Sequence, residues 1–453
     1  MSASSKTRAL GAEWDDAWLL DGVRTPFADY NGPLSAVSPT DLGIKAARAI
    51  LDRAGVPPED VGTVITGNMT QSSFDAYMLP RHIGLYSGVP IEVPAHMVQR
   101  VCGTGIEVLM QGADAVTHRD AGVALCVGTE SMSRNPVASY THRGGFRLGQ
   151  VEFKDFLWES LLDPAPDRTM GGTAEELARR YQITRRQVDE FAARSFDRAL
   201  AARDFMDGEI VPVGSETFSR EGYTDRGIAV PRKAGAVTSD THVRASSIEA
   251  LAALRPAFGG VQTAGNSSGM VDGAAAGLVC SGAYARNVSA QRSGAGRADG
   301  AGGAAGAARD AAGGTAGGTS DGHTGRTMPL ARLVAGVAVG CPPEVMGIGP
   351  VPAIRALLDR VGLRLDAIGR FEINEAFGAQ VLACARELGL DEDRLNVNGG
   401  AIAIGHPLAA TGVRLSVTVA RELRRTGLRY GIASACIGGG QGIALLLENP
   451  DAA

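Results

Sequence analysis

Hydrophobic and polar positions alternate along this chain with two periods that repeatedly change places. The apolar runs Val61-Gly-Thr-Val-Ile-Thr-Gly67 and Val123-Ala-Leu-Cys-Val-Gly128 are continuous and bounded by glycine. Continuous runs of that length predict strands covered on both faces. Between them the spacing becomes helical: 41–53 carries apolar residues three and four apart, with Thr40 or Asp41 as N-cap, and Gly55 and Pro57 close it. The last third repeats the pattern, with a helix predicted over 351–361, a strand over 371–373 and a second helix over 379–388. Strand–helix–strand alternation written twice predicts an α/β fold of two similar halves.

Two stretches break the pattern. The middle, 136–261, is richer in charge, is interrupted by Pro and Gly, and carries a helical stretch at 189–203, which predicts a separate inserted unit. At 286–326 the chain becomes a Gly/Ala/Arg tract almost without large apolar side chains. Nothing there offsets the entropy of ordering the backbone, so a flexible surface linker is expected. The halves then fall at 14–135 plus 262–285 and at 327–449.

Composition removes several classes of function. A chain of 453 residues exceeds one ordinary core, and 44% hydrophobic with 21% charged residues is the balance of a folded globular protein. A net charge of −5 without a Lys/Arg block excludes a nucleic-acid partner. Residues 1–13 are polar and no later stretch keeps the apolar length of a membrane span, so a cytoplasmic protein is expected. The six cysteines form neither a CxxC pair nor a disulfide framework, so reduced thiols and no metal site are expected.

Four segments could do chemistry. In Val101-Cys-Gly-Thr-Gly105, Cys102 stands between a strand-like approach and a helical pattern. Facing a helix N-terminus, its thiolate is favoured and its nucleophilicity rises. A buried cysteine in a tight turn fits the same residues. In Asn396-Val-Asn-Gly-Gly-Ala-Ile-Ala-Ile-Gly-His-Pro407, His406 is constrained by Gly405 and Pro407, the setting of a general base or of a histidine satisfied in a turn. In Ser434-Ala-Cys-Ile-Gly-Gly-Gly-Gln-Gly442, backbone amides after Cys436 can converge on an oxyanion. That loop lacks the Lys-Ser/Thr of a phosphate-binding P-loop. Asn374-Glu-Ala-Phe377 closes an apolar strand, a frequent place for active-site groups in α/β sheets.

Taken in order, Cys-Gly-x-Gly, Asn-Glu-Ala-Phe, Gly-His-Pro and Cys-x-Gly-Gly-Gly resemble the thiolase family. The resemblance also takes in Asp21-Gly-Val-Arg-Thr-Pro-Phe27, Met170-Gly-Gly-Thr-Ala-Glu175, Thr263-Ala-Gly-Asn-Ser-Ser-Gly269 and Met346-Gly-Ile-Gly-Pro-Val-Pro352. It implies two βαβαβαββ halves in a five-layered sandwich, with an inserted loop domain at 136–261 covering coenzyme A. It implies reversible Claisen condensation and thiolysis of 3-ketoacyl-CoA, in fatty-acid β-oxidation or in acetoacetyl-CoA formation. Cys102 would carry the acyl group and His406 would take its proton. Cys436 would act as acid and base on the acetyl methyl group. Asn374 with His406 would form one oxyanion hole, and the amides of Cys102 and Gly438 the second. Arg244, Ser268, Ala264, Phe377 and Met170 would meet coenzyme A. Acyl-CoA, acetyl-CoA and CoA would be the partners, with no further cofactor. A homodimer or homotetramer and a hydratase–dehydrogenase partner are the implied assemblies. Glu130 and Glu175 are expected to hold loops or subunits together rather than to react.

Arg168-Thr-Met-Gly171 stands where short-chain biosynthetic members have His-Met-Gly, which argues against a dedicated acetoacetyl-CoA preference. A non-catalytic acyl-CoA-binding subunit would need none of Cys102, His406 and Cys436. A decarboxylating ketosynthase would not use Cys436.

Overall fold

The computed structural model describes residues 8–298 and 329–452, apart from 72, 119, 120 and 141. The main strands are β1 (Ala9–Arg24), β2 (Val61–Gly67), β3 (Ala95–Val98), β4 (Val123–Ser131), β5 (Val271–Ser281), β6 (Ala331–Gly340), β7 (Ile368–Ile373), β8 (Tyr430–Ile437) and β9 (Gln441–Glu448). The helices that matter here are α1 (Pro39–Ala54), α2 (Thr104–His118), α3 (Met170–Arg180), α4 (Arg185–Ala201), α5 (Gly282–Ala298), α6 (Pro350–Val361), α7 (Gly378–Leu388) and α8 (Leu408–Thr426).

The strands run β7-β8-β9-β6-β1-β5-β4-β2-β3 in a ten-stranded sheet whose tenth member, Ala28–Asp29, pairs with β5. Long β1 joins the halves: Ala9–Glu13 pair with β6, Asp21–Arg24 with β5, and Ala17–Leu19 with both. Both faces of each half are covered, as the continuous apolar runs predicted. Val123, Leu125 and Val127 pack in one cluster with α1, whereas Ala124 and Cys126 pack in another with α2 and α8. In the second half Ile432 packs with α6 and α7, and Ala433 and Ala435 join the same central cluster. The result is five layers: outer helices, sheet, α2 with α8, sheet, outer helices.

Helix α8 is buried from Leu408 through Leu423 because it lies in the middle layer. It meets α2 backbone to backbone. A Cβ on Gly412 would come within 2.2 Å of Ile106 N, and one on Gly105 within 2.6 Å of Ala409 O. Only glycine permits that approach.

Local differences from expectation have local causes. The N-cap of α1 is Ser38, whose hydroxyl accepts from Thr40 N at 3.1 Å, not Thr40 or Asp41. Pro39, with its preset φ and no N–H to satisfy, opens the first turn. Gly55 ends the helix at φ 60°. The charge-rich middle is inserted between the sheet neighbours β4 and β5, but its apolar residues share the cores of the halves. Leu177, Val188, Phe191 and Phe196 of α3 and α4 join the second half's outer cluster, and Val213, Phe218 and Ile228 join the first half's. The segment expected to be a linker begins inside α5, as its helix-favouring Ala and Arg residues allow. Residues 299–326 of that expectation lie outside the described residues.

Candidate active site

Two central helices start two residues after two of the groups singled out for chemistry. Helix α2 begins at Thr104 after Cys102, and α8 begins at Leu408 after His406. The Gly105–Gly412 approach brings these N-termini together. Cys102 is buried among Met69, Met132, Leu157 and Leu408. It follows Val101, held at φ 43°. A β-branched side chain is rarely found in that region, and the strain there is of order 1–3 kcal/mol.

The second half supplies the facing groups. Asn374 leaves β7 beside β8, and its N–H donates to Ser434 O at 2.9 Å. Cys436 lies near the end of β8, packed with Met170, Met346 and Ala376. The glycine loop beyond it turns back over the Cys102 segment, with a Gly438 Cβ position 3.3 Å from Val101, and the amides of Gly438 and Cys102 both act to lower the pKa of the Cys102 thiol. These are the two amides expected to hold an oxyanion. Asn374 Nδ2 donates to His406 Nε2 at 3.3 Å, while its buried Oδ1 meets no donor of the described residues. On its far side His406 Nδ1 lies 2.6 Å from Thr411 Oγ1.

The loop carrying His406 is held by carboxylates. Glu375 accepts from Ser195 Oγ at 2.7 Å, Asn396 Nδ2 at 2.9 Å and Ile402 N at 3.1 Å. Gly405, at φ 94°, has Val271 2.4 Å from where a Cβ would stand. Glu130 accepts from Met69 N at 3.0 Å, Thr70 Oγ1 at 2.8 Å and Ala409 N at 3.2 Å, tying the first half to the start of α8. Glu175 accepts from Val261 N at 2.8 Å and Gln262 N at 2.7 Å, just before Thr263.

A cavity of about 470 Å³ opens onto His406. Ala264, Ser268 and Phe377 line it, with Phe258 edge-on to Phe377 at 6.1 Å. Met132 and Leu408 belong both to its wall and to the cluster around Cys102. Met170 and Arg244 are not in that wall. Met170 lies under Cys436, its sulfur 3.2 Å from where a Gly438 Cβ would stand. Arg244 is exposed, donates to His242 O at 3.1 Å and lies over the Phe196 ring at 5.2 Å. His242, two residues earlier, stands on the wall instead. Sequence reasoning also missed Phe258 and the part played by Thr411, which depend on partners brought in by the fold.

Burial overturns the expectation of a ready thiolate. Loss of water pushes the Cys102 thiol up to about 11 against the pull of the Gly438 and Cys102 amides. Burial and the nearby thiols of Cys102, Cys384 and Cys341 raise Cys436 well above the thiol range. Burial, with the Arg414 charge, pushes His406 down to about 3. The resting pair is therefore a neutral thiol and a neutral imidazole, which can exchange one proton.

This sets a pH signature. Below 6.5 an unfolded histidine takes up a proton that buried His406 refuses until about 3. The contribution of His406 to stability is thus complete above 6.5 and is lost as pH falls through that window. Between pH 7 and pH 5 the wild type should lose about 2 kcal/mol more than His406→Asn, measured by denaturant unfolding. Equal losses would show that His406 titrates normally.

The sequence matches the family profile "Thiolase, N-terminal domain" over residues 18–283 and "Thiolase, C-terminal domain" over 327–449. The chain belongs to the thiolase family. This thiolase is 40% identical to the mitochondrial 3-ketoacyl-CoA thiolase of Bos taurus, over 95% of its own length and 98% of that protein. It is 35% identical to an acetyl-CoA acetyltransferase of Cupriavidus necator, over 96% and 99%. It superposes with a TM-score of 0.81, at 38% identity, on human mitochondrial 3-ketoacyl-CoA thiolase crystallised in complex with CoA, covering 96% of this chain and 98% of that one. Like those relatives, this thiolase is an acyltransferase. Among the described residues no helix is long and apolar enough to cross a membrane.

Proposed function

We propose that this thiolase cleaves and forms 3-ketoacyl-CoA through an acyl group carried on Cys102, with a preference for chains longer than acetoacetyl. The observation that carries the reading is the Cys102 sulfur facing two amide donors, its own and that of Gly438. In cleavage, His406 Nε2 takes the Cys102 proton as sulfur attacks the 3-keto carbon. Charge arriving on the keto oxygen is met by the two amides. When the carbon–carbon bond breaks, the electron pair moves to the departing thioester oxygen, faced by His406 Nε2–H and Asn374. Cys436 gives its proton to the methylene carbon and recovers one from His406. The CoA thiol then passes its proton to His406, attacks the acyl-cysteine, and Cys102 leaves with that proton. Coenzyme A thioesters are the substrates, and no other cofactor is required by these steps.

The chain-length preference is supported by the apolar wall of Met132 and Leu408 and by Arg168 in place of a histidine. Two further buried methylenes at about 0.8 kcal/mol each predict a kcat/KM for 3-ketodecanoyl-CoA about tenfold above that for acetoacetyl-CoA. The thiolysis rates of both, with Cys102→Ala as control, test it. Faster acetoacetyl-CoA cleavage would assign a short-chain acetyltransferase. No cysteine-dependent cleavage of either would remove the activity. At least a homodimer is supported by exposed Phe74, Tyr77, Met78 and Ile91 near edge strand β3.

A further inference from the structure

The geometry points to Thr411 as the positioning residue that fixes the tautomer of His406 and keeps its Nε2 free to accept a proton. The inference rests on the reading of His406 as the base. A neutral imidazole has one proton and two nitrogens, and only the nitrogen without it can take one from a thiol. Two independent contacts decide which nitrogen is bare.

The first is on the Nδ1 side. Thr411 Oγ1 lies 2.6 Å from His406 Nδ1 and 3.1 Å from Pro407 O. The hydroxyl is placed to donate to Pro407 O, the carbonyl four residues back in the first turn of α8. This leaves the Oγ1 lone pairs to accept from Nδ1–H. The second contact is on the Nε2 side. Asn374 Nδ2, a donor, stands 3.3 Å from Nε2, and a proton on Nε2 would set two donors against each other. Both contacts put the proton on Nδ1.

The partner's chemistry matters as much as its position. A carboxylate at Nδ1 would draw a second proton onto the ring and hold it there. A hydroxyl carries no charge, and the charged group nearby, Arg414 on the next turn of α8, opposes protonation. His406 therefore stays a neutral base, and Nδ1–H remains anchored while Nε2 gains and gives up a proton in each half of the reaction. Thr411 and His406 are both buried, so no water competes for Nδ1 from an exposed face. The 2.6 Å contact also fixes the plane of the ring, and with it the direction of the Nε2 lone pair.

Thr411→Val keeps the shape of the side chain and removes the acceptor. It should lower kcat for acetoacetyl-CoA thiolysis about 10- to 100-fold, part of the 10²–10⁴ that a general base supplies, with KM for CoA within about twofold. The rate of Cys102 alkylation by iodoacetamide should fall in parallel. Thr411→Ser should restore most of both, and Thr411→Asp should move the acid limb of the kcat/KM profile up towards neutral pH. In histidine-labelled wild type, the nitrogen-15 signals lost in His406→Asn should report a protonated Nδ1 and a bare Nε2. A Thr411→Val enzyme within twofold of wild type in kcat and alkylation, or a bare Nδ1 in the wild type, would overturn the assignment. A lower Tm with an unmoved pH profile and no rescue by serine would also overturn it, leaving Thr411 as packing. If His406→Asn itself keeps full activity, the base reading fails first. If His406→Asn is inactive while Thr411→Val is not, the Thr411 assignment alone fails.

Discussion

Cys102→Ala should lower CoA-dependent cleavage of acetoacetyl-CoA by about 10⁴-fold or more, because the groups around it act as a unit on one sulfur. Cys436→Ala should separate the two halves of the reaction. Its Cys102 still has His406 to take its proton and the Cys102 and Gly438 amides to receive the oxyanion. Mixed with an acyl-CoA it should form a covalent acyl-enzyme, seen as a mass increase on the Cys102 peptide. Carbon–carbon bond formation and cleavage should still be lost, because no group remains to move the methyl proton. An acyl-enzyme absent from Cys436→Ala would mean that Cys436 serves the acylation step as well. Full cleavage by Cys102→Ala would remove the covalent route. Neither variant introduces a charge, so folding should survive and the losses should be read as chemistry.

Glu209→Gln should be the most costly single change outside the site. Glu209 accepts from Arg24 Nε at 2.9 Å and faces Arg421 Nη1 at 3.3 Å, with all three side chains buried. Burial alone would raise its carboxyl, but the two guanidiniums outweigh burial and hold it below its ordinary value. Neutralising it takes this carboxylate away from buried Arg421 and leaves Arg24 to its pair with Asp240 at 2.6 Å, at a cost of about 3–5 kcal/mol. The exposed pair Arg186–Glu190 is the control, and Glu190→Gln should cost no more than about 1 kcal/mol. Denaturant midpoints of the two variants test the contrast. Similar values would show that the Arg24–Glu209–Arg421 network does not tie the inserted segment to β1 and α8. Neither effect depends on the other, since one removes a nucleophile and the other uncouples layers.

Part of this was legible from residues alone. Strand β2 falls at Val61–Gly67 as predicted, because a short apolar run between glycines has one good way to be buried on both faces. The αL glycine ending α1 was also readable, since Gly55 must adopt a conformation other residues resist. Ser38 was missed as N-cap because Thr40 and Asp41 also suit that role, and only the chain direction set by Pro39 separates them. The inserted segment was read as a unit because its charges mask an apolar face. That face is visible once Leu177, Val188 and Phe196 have a sheet-covering helix layer to join.

The site divides in the same way. Cys102, His406, Cys436 and Asn374 could be named because glycine, proline and strand ends mark them locally, and family motifs repeat those marks. Thr411 was not named, since a threonine early in an Ala-rich helix carries no sign that its hydroxyl meets an imidazole. Nor was Glu209, whose partners Arg24 and Arg421 lie 185 and 212 residues away.

Sequence by itself therefore determined the α/β class and the alternation of strands and helices, because both are written in local period and turn chemistry, and it named the candidate reactive groups through family motifs. Tertiary structure alone decided the protonation states and the pairings. Helix N-termini argued for a thiolate at Cys102, and burial pushed the thiol up to about 11 instead. Desolvation, and the charges that answer it, depend on which distant residues close around a group, and local period carries no record of that closure.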